Sequence, residues 1–80
     1  MSLGLAAAVR HAEDRVADAA RSLGWDPAVL IFPREARCGC PADWSCTVRE
    51  RRVHHAVTAH GETPDAAAQT VVTILRGGAL

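Results

Sequence analysis

The chain lacks lysine and tyrosine altogether and contains a single phenylalanine. All nine basic residues are therefore arginines, and nine acidic residues bring the formal net charge to zero. The shortage of aromatic side chains leaves a core that must come mainly from aliphatic residues and two tryptophans. The absence of lysine, together with an abundance of alanine, indicates the GC-rich genome of a bacterium or a phage.

Long hydrophobic runs are absent as well. No segment reaches the about 20 apolar residues of a membrane-spanning helix, and no basic residue precedes the apolar start of the chain, as it would in a signal peptide. We therefore expect a cytoplasmic protein with reduced thiols. The chain of 80 residues is expected to form one domain, residues 1–80. Domains of this size have a thin stability margin, which a metal ion or a partner subunit often supplements.

Motifs that indicate catalysis are missing too. The sequence has no glycine-rich phosphate loop, no metal-hydrolase helix motif and no pair of carboxylates typical of an acid-base cleft. A dyad of Cys46 and His55 is conceivable, but both residues are expected on the inner face of a small domain with little room for a pocket. The prediction is that the protein is not an enzyme.

Two amphipathic helices are predicted, at residues 3–23 and 64–76. Apolar residues recur every three or four positions in the first, and Gly24 is suited to end it in a left-handed conformation. Thr63 is a good N-cap for the second helix, and Pro64 suits its first position. A pair of glycines then ends this helix.

Three strands are predicted between the helices, at residues 29–32, 44–49 and 53–60. The first is a continuous apolar run, which indicates a strand buried on both faces or inside the sheet, and Pro33 either ends it or marks an edge. The other two strands alternate in polarity. We expect them to form a hairpin that turns at residues 49–52.

The order α-β-β-β-α predicts an α+β fold with two helices on one face of a three-stranded antiparallel sheet. The predicted core is formed by the larger apolar side chains: Leu5, Val9, Val16, Leu23, Trp25, Val29, Leu30, Ile31, Phe32, Trp44, Val48, Val53, Val57, Val71, Val72, Ile74 and Leu75.

The element order and one junction resemble two known families. The α-β-β-β-α order, over nearly the whole chain, resembles the double-stranded-RNA-binding domain and implies its topology. The residues that match that family's phosphate-binding lysines, Thr63 to Ala66, include no basic residue, so the resemblance does not extend to RNA binding. Within residues 59–75, the junction Ala59-His60-Gly61-Glu62-Thr63-Pro64-Asp65-Ala66-Ala67 is similar to that of HicB-like antitoxin domains, which implies binding to a partner protein.

Three cysteines lie within nine residues, at Cys38, Cys40 and Cys46. An odd number argues against a closed set of disulfides, and clustered thiols indicate a metal or a redox site. A hairpin that turns about Glu50-Arg51 places Cys46 opposite His55, with Cβ atoms ~5 Å apart.

One hypothesis is therefore a structural zinc site with the ligands Cys38, Cys40, Cys46 and His55. His54 or His60 would replace His55 if the loop packs on the other face of the sheet. The alternatives are redox chemistry, or thiols that serve only in the loop and the core, because cysteine behaves as a small hydrophobic residue.

Basic residues cluster in the middle of the chain, at Arg34, Arg37, Arg49, Arg51 and Arg52. They form either a solvated hairpin tip or a contact surface for nucleic acid or an acidic partner.

The leading hypothesis is a small non-enzymatic accessory or regulatory domain that binds another protein, with a homodimer through an exposed edge strand as one form. A phage or bacterial inhibitor, or an antitoxin-like protein, fits this size. The alternatives are a zinc-stabilised module and a nucleic-acid-binding domain that uses the arginines.

Overall fold

The structure, a computed structural model, describes residues 3–36, 38–39 and 41–77. The elements are α1 (Leu3–Arg21), β1 (Pro27–Arg34), β2 (Asp43–Glu50), β3 (His55–Gly61) and α2 (Pro64–Leu75). The strands form one antiparallel sheet in the order β1-β2-β3. The predicted α+β fold, with the order α-β-β-β-α, is confirmed. No helix in the described part of the chain is long and apolar enough to cross a membrane.

The local chemistry predicted at the helix boundaries is present. The hydroxyl of Thr63 accepts a hydrogen bond of 3.0 Å from the N–H of Ala66, and Pro64 occupies the first position of α2. Gly24 and Gly77 have φ angles of 82° and 78°. Because such angles are strained for residues with a Cβ, these glycines suit the turns that follow α1 and α2.

The core lies between the two helices and the face of the sheet that they cover. Its largest fully buried side chains are only Val16, Val48, Val71 and Cys46, and alanines from both helices fill much of the remainder. Trp25 and Trp44 are half-buried and pack against the margin of this cluster. The two tryptophans that the sequence assigned to the core therefore lie at its margin rather than at its centre.

Five residues that the sequence assigned to the core are exposed instead: Leu5, Leu23, Leu30, Phe32 and Val53. Leu30 and Phe32 alternate along β1 with Val29 and Ile31, which pack against the core. Successive side chains of a strand point to opposite faces, so Leu30 and Phe32 lie on the uncovered face. The pattern of a continuous apolar run cannot reveal that one face of the strand is left without a covering layer.

The predicted register of the β2–β3 hairpin is wrong by four residues. Cys46 lies opposite Ala59, and Glu50 lies opposite His55. The turn consists of residues 51–54 rather than 49–52, and in it the N–H of His54 donates a 3.0 Å hydrogen bond to the carbonyl of Glu50. The physical reason is the side chain of Glu50, which binds the backbone of the turn and keeps this residue in the strand. Because four is an even number, the side chains of β3 keep their predicted faces.

Candidate binding surface

The sheet has one face that no described element covers, and we call it the open face. Its side chains come from alternate positions of the three strands, opposite to the core residues Ile31, Cys46 and Ala59. Register pairing assigns the following residues to it: Ala28, Leu30, Phe32, Arg34, Asp43, Ser45, Thr47, Arg49, Ala56, Thr58 and His60.

The middle of the open face is uncharged, and its two large apolar side chains, Leu30 and Phe32, lie on the edge strand β1. Leu30 lies beside Thr47 on the neighbouring strand, and the hydroxyls of Thr47 and Thr58 are 2.9 Å apart across β2 and β3. Phe32 lies beside Ser45, which is buried. The exposed fractions of Leu30 and Phe32 are 58% and 40%. Two large apolar side chains thus lie side by side in solvent.

The two ends of the open face differ in charge. At one end Arg34 donates from Nε and Nη2 to the two carboxylate oxygens of Asp43, at 2.7 and 2.9 Å. The guanidinium of Arg34 holds the pKa of Asp43 below its usual value, so this end is neutralised. At the other end Arg49 Nη2 lies 3.4 Å from His54 Nδ1. Within the described ranges Arg49 forms no ion pair, and this end is positive.

The edge formed by β1 is partly blocked by proline. The carbonyl of Asp26 accepts a hydrogen bond from the N–H of Arg51. Along an antiparallel strand the N–H and C=O groups of successive residues are directed alternately to one side and the other. The N–H and C=O groups of the even-numbered residues in β1 are therefore directed towards β2. The backbone groups of Pro27 and Pro33 are then directed outwards, where a missing N–H breaks no ladder. The prediction of an interior strand is wrong, and the alternative that Pro33 marks an edge is confirmed.

The other edge, formed by β3, has no proline. By the same alternation, the N–H and C=O groups of His55 and Val57, which lie opposite Glu50 and Val48, are directed towards β2. The N–H and C=O groups of Ala56, Thr58 and His60 are therefore directed outwards, and all three residues are exposed. The two edges of the sheet thus differ in their ability to pair with another strand.

The structure does not bring Cys46 and His55 together. Cys46 is fully buried in the core, and burial, with a smaller contribution from Glu13, raises the pKa of its thiol to about 11. His55 is four residues from the partner of Cys46 along β3, about 13 Å by the rise of a strand. Its ring contacts Trp25 edge to face, with 5.5 Å between centroids. A protonated, buried thiol is poorly suited to bind zinc or to act as a nucleophile.

The other thiols lie in the loop between β1 and β2. Cys38 is exposed, and Cys40 lies outside the described residues. Among the residues that are described, no group of three or more His, Cys, Asp and Glu side chains is arranged to hold a metal ion. The zinc hypothesis therefore stays a prediction, and without Cys46 it depends on Cys40.

The five predicted arginines do not form one surface. Arg34 is paired with Asp43, and Arg52 is paired with Glu50. Arg37 lies outside the described residues. Arg34 and the partner of Arg49 on β1 are separated by six residues, about 20 Å along the strand. Arg49 and Arg51 are the two exposed members that form no ion pair in the described part of the chain.

Sequence reasoning missed the role of Glu50, which it treated as a turn residue. The side chain of Glu50 is 5% exposed. Its Oε2 accepts a 2.5 Å hydrogen bond from the N–H of Asp26, and its Oε1 accepts from the N–H and Nε of Arg52 at 2.7 and 2.9 Å. These bonds, chiefly those from Arg52, lower the pKa of Glu50 to about 2. The sequence did contain a signal for this role. Glu50 follows Cys46 and Val48 at every second position, and this spacing places its side chain on the inner face of the strand.

Comparison with known proteins gives no relative. A scan against family models, a search of curated proteins and a search of solved structures each found no match to this chain. The resemblances to the double-stranded-RNA-binding domain and to HicB-like domains stay predictions.

Proposed function

We propose that this protein is a non-enzymatic accessory or regulatory domain that binds another protein through the open face. The observation that carries this proposal is the exposure of Leu30 and Phe32 side by side on the part of that face formed by β1. Single exposed apolar residues are common on protein surfaces, whereas contiguous ones with a polar rim are typical of contact surfaces. Burying both side chains against a partner would remove apolar area from water, which favours association.

The charges around the patch specify the chemistry of the partner. The centre is uncharged, Arg34 is already paired with Asp43, and Arg49 is exposed at the opposite end. A complementary protein surface has an apolar patch that meets Leu30 and Phe32 and a carboxylate that meets Arg49. Such pairing of potentials gives specificity and speeds encounter more than it adds affinity.

Charge pairing makes nucleic acid the weaker candidate. A phosphate at Arg34 or Arg52 would have to compete with the carboxylates that those guanidinium groups already bind. Sequence-independent binding to nucleic acid needs several phosphate contacts. Support for a non-catalytic role comes from Cys46, whose thiol is buried and protonated at neutral pH.

The proposal is tested by comparing immobilised variants in lysate of the source organism. We expect a specific protein to be retained by the wild type and lost with the double variant Leu30→Ser/Phe32→Ser. The matched control is Leu23→Ser/Val53→Ser, which removes two apolar side chains that are 50% and 68% exposed but lie off the open face. This control should retain the protein.

A second step uses the retained protein after purification. Titration calorimetry should show binding to the wild type that weakens by about fivefold or more in Arg49→Glu, because the variant sets two negative charges opposite each other. Equal retention by all variants would overturn the proposal. Binding of single-stranded oligonucleotides that is lost with Leu30→Ser/Phe32→Ser would instead assign the face to nucleic acid.

A further inference from the structure

The edge formed by β3 has the features of a strand that pairs with another chain. Ala56, Thr58 and His60 direct their N–H and C=O groups outwards and are exposed. An edge with such groups is a template for addition of a strand. At the edge formed by β1, by contrast, Pro27 and Pro33 remove two of the outward donors.

We propose that two copies of this chain pair antiparallel through β3, about a two-fold axis at Thr58, to form one six-stranded sheet. Thr58 is the midpoint of His55–Gly61, so this register pairs all seven residues of the strand. Thr58 then lies opposite Thr58 of the second copy, and Ala56 lies opposite its His60. Each of these pairs consists of outward-directed residues and can exchange both of its N–H···O bonds.

The charge distribution fits a second copy as the occupant. A surface that meets itself across a two-fold axis must not set like charges opposite each other. The sequence of β3 contains no Asp, Glu, Lys or Arg. A charged partner strand would leave this neutral edge without complementary groups, whereas a second β3 is compatible with it at every position.

The flank of α2 above the same edge is also uncharged. Arg15 of α1 binds Asp65 and Gln69, so those two residues mark the flank of α2 that faces α1. Ala67 and Val71 face the core. The helical period of 3.6 residues places Ala66, Thr70 and Ile74 on the opposite flank. In the dimer this flank would approach the same flank of the second α2, and its small or uncharged side chains allow a close approach.

The dimer would change the open face. A two-fold axis perpendicular to the sheet keeps the helices of both copies on one side, so the two open faces form one continuous surface. Two copies of the Leu30 and Phe32 patch would then face the same direction, which favours a partner that is itself symmetric or repeated. The pairing through β3 does not depend on the proposed function, because neither Leu30 nor Phe32 contributes to the edge.

The test is the concentration dependence of molecular mass in analytical ultracentrifugation. The wild type should shift from monomer to dimer as concentration rises. Thr58→Lys sets two ammonium groups opposite each other at the two-fold axis and should weaken association about fivefold or more. Thr58→Glu should do the same. An equimolar mixture of these two variants should restore the dimer, because opposite charges then meet at the axis.

Three further variants make the result specific. Thr58→Val keeps the backbone N–H and the branched shape and should remain a dimer. Thr58→Pro removes the outward N–H, as Pro33 does in β1, and should be a folded monomer by circular dichroism. Leu30→Ser/Phe32→Ser should remain a dimer, which separates this inference from the proposed function. A wild type that stays monomeric at all concentrations, or a Lys and Glu mixture that does not associate, would overturn the proposal.

Discussion

The carboxylate of Glu50 binds two segments that are distant in sequence. It accepts the N–H of Asp26, which precedes β1, and the N–H and guanidinium of Arg52 in the hairpin turn. Arg52 in turn donates to the carbonyl of Gly24. This ionic group therefore joins the turn after α1 to the hairpin. Removing one partner of such a cluster leaves buried groups without their hydrogen bonds.

We expect Glu50→Gln to lower the melting temperature at neutral pH and to flatten the pH dependence of stability. The pKa of Glu50 falls from an ordinary value of 4.5 to about 2 on folding. A lowered pKa in the folded state stabilises the protein above the unfolded value, and this contribution is lost as the pH falls from 4.5 towards 2. Urea unfolding across that range should therefore show a steep loss for the wild type and a shallower one for the variant.

The control for this prediction is Glu62→Gln, which removes the same charge from an exposed glutamate. Its unfolding curve should follow that of the wild type at every pH. A Glu50→Gln variant whose stability runs parallel to the wild type from neutral to acidic pH would show that the cluster around Glu50 does not stabilise the fold.

Cys46 is expected to be unreactive in the folded protein. A pKa of about 11 in place of 9.0 lowers the thiolate fraction at neutral pH about 100-fold, and full burial excludes the reagent as well. Alkylation with iodoacetamide, followed by peptide mass mapping, should label the exposed Cys38 rapidly and Cys46 only after addition of urea. Equal labelling of Cys38 and Cys46 without denaturant would mean that the core opens readily around β2.

At the scale of elements, sequence reasoning was most accurate where the chemistry is local. The N-cap at Thr63 and the left-handed Gly24 are visible in a few residues, and both are present. The hairpin register depends on contacts of Glu50 with a segment 24 residues away, and no pattern of polarity within the strands encodes them. The faces of β3 were nevertheless assigned correctly, because alternation survives a shift by an even number of residues.

The exposure of Leu30 and Phe32 depends on the arrangement of whole elements. An apolar run looks the same in a strand covered on both faces and in a strand with one uncovered face. The two prolines of β1 indicate a separate property, that β1 is an edge strand, since Pro27 and Pro33 are six positions apart and flank the run. Prolines with that spacing fit only a strand with one side free of ladder bonds.

The junction between β3 and α2 should tolerate no side chain at Gly61. A Cβ at this position would lie 2.6 Å from the backbone nitrogen of Ala67 and 2.9 Å from Cβ of Ala66. We expect Gly61→Ala to destabilise the protein by about 1–3 kcal/mol in urea unfolding, the usual range for overpacking. Gly4→Ala is the matched control, because nothing lies within 4 Å of its Cβ and alanine favours a helix. A Gly61→Ala variant as stable as this control would contradict the close approach of β3 to α2.

The molecule as a whole has a core of small side chains, and both tryptophans lie at its margin. Domains of this size often gain stability from a metal ion or from a partner subunit. In this fold Cys46 is used for packing within the core, and His55 packs against Trp25. In the described part of the chain the interior is therefore closed by apolar contacts and by the cluster around Glu50, and the edge formed by β3 stays exposed.

We accordingly expect the fold to be independent of metal. Native mass spectrometry and thermal melts, with and without a chelator, should give the same mass and the same melting temperature, because Cys46 is packed in the core and is not paired with His55 across the strands. The double variant Cys38→Ser/Cys40→Ser should have the same melting temperature as the wild type, since Cys38 is exposed and does not contribute to the core. One zinc ion per chain whose removal unfolds the protein would contradict this expectation. It would require Cys46 to leave the core and the loop between β1 and β2 to fold back across the sheet.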